Sequence, residues 1–378
     1  MTNAPDTTRC PHLLSPLRVG DLDLPNRVIM APLTRSRSRQ PGDVPTEMNA
    51  RHYAQRAGMG LLIAEATYVA LVGKAYGMIP GITNDEQASG WRLVTDAVHE
   101  RGGRIFLQLF HGGRVGHLGL SGGQTPVAPS AIRANAKTYL EAGGGKVDVD
   151  EPRALGADEI PGVIGQFVDA AKRAMDAGFD GVELHGANSY ILDQFTRDGS
   201  NRRTDDWGGT LEKRLRFPLA VARGVAEAIG PGRLGYRISP AGTGNSMSDS
   251  DPVATFTALG AGLGEIGIAC LHSAEWAEDA GLARRSTDAA FAAFKHAASG
   301  NPASGVTISN SGYAPETADA WIAKGGADAV AFGTLAIANP DLVERIRAGA
   351  PLNEADPSTY YGGGEAGYND YPTMQQAT

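Results

Sequence analysis

Eight short apolar, β-branched runs alternate along this chain with longer segments of helical period, and that alternation restricts its fold more than any other feature. The runs are Val28–Ala31, Leu61–Tyr68, Arg104–Phe110, Gly181–His185, Leu234–Ile238, Ile268–Ser273, Val306–Ser309 and Ala329–Gly333. Helices are expected near Glu47–Ala57, Asp85–Glu100, Ile160–Ala177, Leu211–Ala228, Pro252–Leu263, Thr287–Ala298, Pro315–Lys324 and Pro340–Arg347. Parallel strands need long crossovers, and helices of this length supply them while covering the sheet. Eight such units predict an α/β fold, a (β/α)8 TIM barrel spanning residues 1–378 as a single domain. Pro252, Pro315 and Pro340 fall near first-turn positions, and Gly178 and Gly325 follow expected helix ends. Ahead of the first strand, Gly20-Asp21 sits between short alternating runs and reads as a β-hairpin able to cap one barrel end. The stretch His111–Ala157 is too long for an ordinary connection. It is expected to form a long excursion after strand 3, passing over the face where barrel sites form.

A net charge of −8 argues against nucleic acid as a partner, because such binding draws on clustered Lys and Arg. The one basic run, Arg35-Ser-Arg37-Ser-Arg39, reads as a solvated loop. Cys10 and Cys270 form no CxxC pair, which leaves no framework for a disulfide scaffold, a Cys-ligated zinc or an iron–sulfur cluster. The N-terminus lacks a basic segment followed by an apolar run, and the most apolar window, Met59–Val72, is broken by Glu65. It falls short of the ~20 residues of a spanning helix. A cytoplasmic protein without membrane or nucleic-acid partners is expected, with no metal site, and with monomer or dimer both open.

In such a barrel, chemistry collects at the ends of strands. Those ends are polar here: Thr34 after the first strand, Gln108 within the third, His185, Asn188 and Tyr190 after the fourth, and Arg237 in the fifth. His185 and Asn188 are spaced so that a turn can aim an imidazole N–H and an amide N–H at one oxygen, such as a carbonyl or nitro oxygen. Tyr190 carries a phenol suited to give a proton to carbon. Arg237, inside the barrel, needs a buried anionic partner.

The segments Asn26–Arg35, Leu107–Arg114, Gly181–Phe195, Asn201–Gly209 and Tyr361–Gly364 together resemble the old yellow enzyme family of FMN-dependent ene-reductases, over about Leu14 to Tyr371. The resemblance implies FMN at the C-terminal mouth of the barrel, NADPH or NADH as reductant, and activated alkenes as small-molecule substrates. It implies substrate-oxygen binding by His185 and Asn188 and proton donation by Tyr190. It implies FMN contacts from Pro32, Leu33, Thr34, Ala66, Gln108 and Arg237, and pocket walls at Tyr76, Phe110 and Tyr361. Thr34, where another subgroup carries Cys, points to the classical subgroup. Three departures from the family pattern stand out. Phe110 replaces a usual Trp and predicts a roomier pocket. Thr334, after Gly333, replaces the Arg that meets the FMN phosphate. Ser311 and Gly312 stand where a Gly-rich turn is common, and their hydroxyl and amide groups are expected to supply part of the lost grip. The alternative reading is a flavin-binding barrel with a redox-neutral isomerase or non-reductase role. A flavin-free lyase lacks a strand-end lysine to support it.

Overall fold

The structure, a computed structural model, describes residues 9–141, 144–301 and 304–376; the expectation about an export leader rests partly on residues outside these. Eight parallel strands close into a barrel: β1 (Val28–Met30), β2 (Leu61–Tyr68), β3 (Ile105–Phe110), β4 (Gly181–Gly186), β5 (Leu234–Ile238), β6 (Cys270–Ala274), β7 (Val306–Asn310) and β8 (Ala329–Phe332). Around it run α1 (Glu47–Gln55), α2 (Asp85–His99), α3 (Ile160–Asp176), α4 (Ile191–Thr196), α5 (Leu211–Ile229), α6 (Pro252–Ile266), α7 (Ala280–Ala297), α8 (Pro315–Ala323), α9 (Thr334–Ala338) and α10 (Leu342–Ala348). The strands read as continuous apolar runs because both faces are covered; all of β2 is buried. The register sets Gln108 of β3 opposite Glu183 of β4, His185 of β4 opposite Arg237 of β5, and Arg237 opposite His272 of β6. Polar side chains from four neighbouring strands are thereby gathered inside one part of the barrel.

The hairpin forms as expected, with Leu17–Val19 antiparallel to Leu22–Leu24. Gly20 takes φ +57°, and a Cβ there would lie 1.9 Å from the Gly232 carbonyl oxygen, so the turn requires glycine. Val19 and Leu24 pack with Ile29, Leu61, Phe106 and Ile308 and close the barrel floor. Capping is local: the Asn84 side chain accepts the Gln87 N–H at the start of α2, and Asp251 accepts that of Ala254 with Pro252 opening α6. Two expectations need correction. Helix α7 begins at Ala280, seven residues before Thr287, because Asp279 accepts the Leu282 N–H and caps it there. Pro340 lies outside α10, which starts at Leu342.

The excursion after β3 carries two small pairings, Val127–Ala128 with Arg153–Ala154 and Lys137–Tyr139 with Lys146–Asp148. The second is a hairpin stitched to the segment holding Tyr76. The Gly77 N–H donates to the Tyr139 carbonyl at 2.8 Å, and Thr138 Oγ1 donates to the Ala75 carbonyl.

Candidate active site

At the C-terminal end of the barrel lies a cavity of ≈ 520 Å³ lined by Pro32, Leu33, Thr34, Ala66, Tyr76, Gln108, His185, Asn188, Tyr190, Arg237, Thr334 and Tyr361, all expected from sequence. It is also lined by Arg35, Ser36, Tyr139, Lys146, Ile337 and Tyr360, which were not. Four expected positions do not line it. Ser311 and Gly312 are exposed, Gly333 sits behind Leu33, and Phe110 stands one layer back from the surface. Phe110 is therefore not a wall but a support: its ring meets the Tyr190 ring edge-on at 5.1 Å.

The end of β4 is shaped by backbone. A Cβ at Gly186 would fall 2.2 Å from the Tyr236 ring, so only glycine lets β4 approach β5 there. The chain then turns through left-handed conformation at Asn188 (φ 56°) and Ser189 (φ 68°), which non-glycine residues adopt at a cost of about 1–3 kcal/mol each. Hydrogen bonds compensate: the Asn188 N–H donates to Ser239 Oγ at 2.8 Å, and the Ser189 N–H to Asp193 Oδ2 at 2.9 Å. The turn ends in Tyr190, the N-cap of α4, which places its phenol in the cavity beside His185, with the two rings 4.8 Å apart.

Burial governs the electrostatics. It pushes His185 well below the usual histidine range, and Arg237 nearby adds to that, so His185 is a neutral imidazole at pH 7. Burial likewise raises the Tyr190 phenol well above its usual value, and Tyr76, whose hydroxyl lies 3.1 Å away, raises it further. On the floor, Gln108 Nε2 donates to Glu183 Oε1 at 2.7 Å, and the other carboxylate oxygen meets His272 Nδ1 at 2.8 Å. Arg237 Nη2 donates to Asn310 Oδ1 at 2.6 Å.

Four buried polar atoms on cavity-lining residues have no partner among the described residues: Arg35 Nη1, His185 Nδ1, Asn188 Oδ1 and Arg237 Nε. Buried polar atoms are rarely left this way, and their gathering around one cavity singles it out as a binding site. The set suits FMN: an amide at Gln108 and a guanidinium at Arg237 match a flavin's polar pyrimidine side, while Pro32, Leu33 and Ala66 offer apolar surface to its rings. Among the described residues no group of three or more His, Cys, Asp or Glu could hold a metal ion, and no helix is long and apolar enough to cross a membrane.

The basic run is not the solvated loop expected. Arg35 and Arg37 are buried, at 1% and 2% exposure, and only Arg39 reaches solvent, paired with Glu86 at 2.6 Å. Glu65, the residue that interrupts the apolar window, is fully buried at an irregularity of β2 between Ala64 and Thr67. It accepts the Arg35 N–H at 3.1 Å, and burial raises its carboxyl to about 7.

A barrel with these residues at its carboxyl mouth defines a class, the (β/α)8 flavin oxidoreductases. Within that class the chain belongs to the NADH:flavin oxidoreductase / NADH oxidase family, whose model matches residues 12–353, and to the old yellow enzymes among its members. It is 42% identical over 366 residues to a probable flavin mononucleotide-dependent alkene reductase of Leishmania infantum, covering 96% of this chain and 97% of that one. The structure of morphinone reductase in complex with tetrahydroNAD superposes with a TM-score of 0.88 at 46% identity, over 96% of this chain and 97% of that one. The old yellow enzyme homologue from Zymomonas mobilis gives 0.88 at 38% identity, over 95% and 99%.

Proposed function

We propose that this protein is an FMN-dependent, NAD(P)H-driven reductase of activated C=C bonds, among them α,β-unsaturated carbonyls, maleimides and nitroalkenes, acting by a ping-pong scheme. The carrying observation is the convergence on one cavity of a two-donor pair, a protonated phenol and buried polar atoms that lack partners. Gln108, Arg237, Thr34 and the backbone of Pro32, Leu33 and Ala66 would hold FMN, which when bound supplies the two-electron chemistry between nicotinamide and alkene. His185 and Asn188 bind and polarise the substrate oxygen, and Tyr190 gives a proton from its hydroxyl to the substrate α-carbon. Tyr76 and Tyr361 orient the alkene and exclude water. Donor and alkene occupy the same cavity in turn, which is the structural basis of the ping-pong order. The relatives' names, an alkene reductase and a reductase solved with a nicotinamide analogue, support the reading.

The test is the visible spectrum of the purified protein under anaerobic conditions. A flavin band should bleach with NADPH or NADH and return with 2-cyclohexenone. A band that bleaches and does not return with any activated alkene would overturn the reductase reading. Thr334 carries a second expectation: Thr334→Arg adds a cation at the mouth and should tighten FMN binding by roughly 5–150-fold, about 1–3 kcal/mol. Fluorescence titration of the apoprotein measures it, and an unchanged dissociation constant counts against Thr334 as a weak point of the FMN site.

A further inference from the structure

The buried arginines of the basic run have a task in the fold, and it lies more than three hundred residues away in sequence. Arg35 Nε donates to the Tyr360 carbonyl at 2.9 Å, and its Nη2 to that of Gly367 at 2.8 Å. Arg37 Nε donates to the Gly364 carbonyl at 3.0 Å, and its Nη2 to those of Thr359 at 2.9 Å and Ala366 at 3.2 Å. In return the Gly362 N–H donates to the Arg35 carbonyl at 2.9 Å. Both guanidinium groups lie against the Tyr368 ring, their carbons 5.0 Å (Arg35) and 4.6 Å (Arg37) from its centroid, and His52 stacks on it at 3.8 Å.

The segment these groups hold has little structure of its own. It contains a 3-10 turn at Pro357–Thr359 and a turn at its far end, where the Glu365 carbonyl accepts from the Tyr368 and Asn369 N–H groups, and between them runs Gly362-Gly363-Gly364, with maximal backbone freedom. Tyr361 is 61% exposed, so burial does not fix it, yet it lines the cavity beside Tyr360. Helix α1 ties down only the far end, through Arg51 to Glu365, His52 to the Tyr368 carbonyl and Gln55 to that of Asn369. Around Tyr360 and Tyr361 the holding groups are the two guanidinium forks, whose planar donors can satisfy several carbonyls at once in a way a lysine cannot. The fork of Arg37 is anchored to the rim itself, because its Nη1 donates to the Arg35 carbonyl at 3.1 Å, one residue beyond Thr34.

We propose that Arg35 and Arg37 are positioning residues that clamp the segment Thr359–Tyr368 to the barrel rim and so set Tyr360 and Tyr361 as the outer wall of the substrate pocket, making the clamp a determinant of how large an alkene the mouth accepts. The substrate part of this inference rests on the reductase reading above; the clamp itself does not. Two readouts on the FMN-loaded protein test it. In Arg37→Leu, amide hydrogen exchange in residues 359–368 should quicken at least ten-fold, while exchange in the barrel strands stays as in the wild type. The ratio of kcat/KM for 2-cyclohexenone to that for the bulkier N-phenylmaleimide should shift at least five-fold toward the bulky substrate, mostly through KM, with FMN affinity unchanged. Arg37→Lys should fall between. Tyr361→Ala should give the same substrate shift, and adding Arg37→Leu to it should give little more, since both remove one wall.

Wild-type exchange in residues 359–368 of Arg37→Leu would overturn the clamp whatever the enzyme reduces. Faster exchange with an unchanged substrate ratio, or shifts that add fully in the double variant, would overturn the clamp as a specificity determinant. If the wild type reduces neither substrate, the reductase reading fails, and exchange alone decides the clamp. Should Arg37→Leu not fold, Arg37→Lys carries both readouts with smaller shifts in the same direction, and their absence overturns the proposal.

Discussion

Replacing His185 and Asn188 together by Ala is expected to lower turnover of 2-cyclohexenone by roughly 10³-fold or more while FMN stays bound, given that loss of one oxyanion-type donor costs roughly 10²–10³-fold. The expectation follows from where the two groups stand. They are three residues apart across a left-handed turn, so their relative position is set by backbone hydrogen bonds to Ser239 and Asp193 rather than by contact with each other. Both line the cavity, and neither His185 Nδ1 nor Asn188 Oδ1 has a partner among the described residues. Their truncation therefore leaves no buried partner group stranded, and the fold should survive. The groups assigned to FMN, Gln108 and Arg237, keep their own bonds to Glu183 and Asn310. His185 is held neutral by burial and by Arg237, so its N–H donates without a change of charge. The wild-type rate should accordingly show no inflection between pH 6 and 8 from this residue. Steady-state kinetics beside the flavin absorbance of each preparation makes the check; near wild-type turnover in the double variant would remove the pair from the substrate oxygen.

The strands were legible because a barrel strand is buried on both faces and must be apolar along its length, a pattern that survives loose boundaries. Most of the polar positions were legible for the complementary reason: Gln108, His185 and Arg237 interrupt such runs where an apolar residue would pack, and the register then brings them together. Arg35 and Arg37 were misread because local composition describes only the neighbours in sequence. Their partners are carbonyls at Thr359–Gly367, which carry no side-chain signal. The same distance hid Tyr139, Lys146 and Tyr360, which reach the cavity through the excursion hairpin and the C-terminal segment. The resemblance places Phe110 on the wall, but it does not line the cavity and instead packs behind it, with its ring edge-on to Tyr190 at 5.1 Å and tilted against His185 at 6.4 Å. The start of α7 was missed because Arg284 and Arg285 break the apolar period in its first turns, and Asp279 marks it only through the cap it makes.

Tyr190→Phe should leave reduction of the enzyme by the nicotinamide donor intact and slow enone turnover by roughly 10²–10⁴-fold, the range for a positioned general acid. The surroundings of the phenol suit the donor role proposed for it. Burial and the neighbouring Tyr76 oxygen raise it well above its usual value, so it is protonated throughout the working pH range. Its ring is fixed edge-on by Phe110 at 5.1 Å and His185 at 4.8 Å, and its hydroxyl meets that of Tyr76 at 3.1 Å. Removing one oxygen preserves the ring contacts and deletes only the hydroxyl with its bond to Tyr76, so the choice of acceptor is what separates a proton effect from a binding effect. The choice of acceptor separates the steps. With an enone, charge left on the substrate after reduction cannot persist, and failure to protonate carbon holds back the whole reaction. A nitroalkene can store that charge on its nitro oxygens, where the proposed scheme has His185 and Asn188 donate. With a nitroalkene, Tyr190→Phe should therefore consume substrate at close to the wild-type rate while the saturated product appears late, as solvent supplies the proton. Rapid mixing with separate detection of substrate loss and product gain distinguishes the two. Equal slowing of both would show that Tyr190 acts on binding rather than on the α-carbon, and the proton would have to come from water.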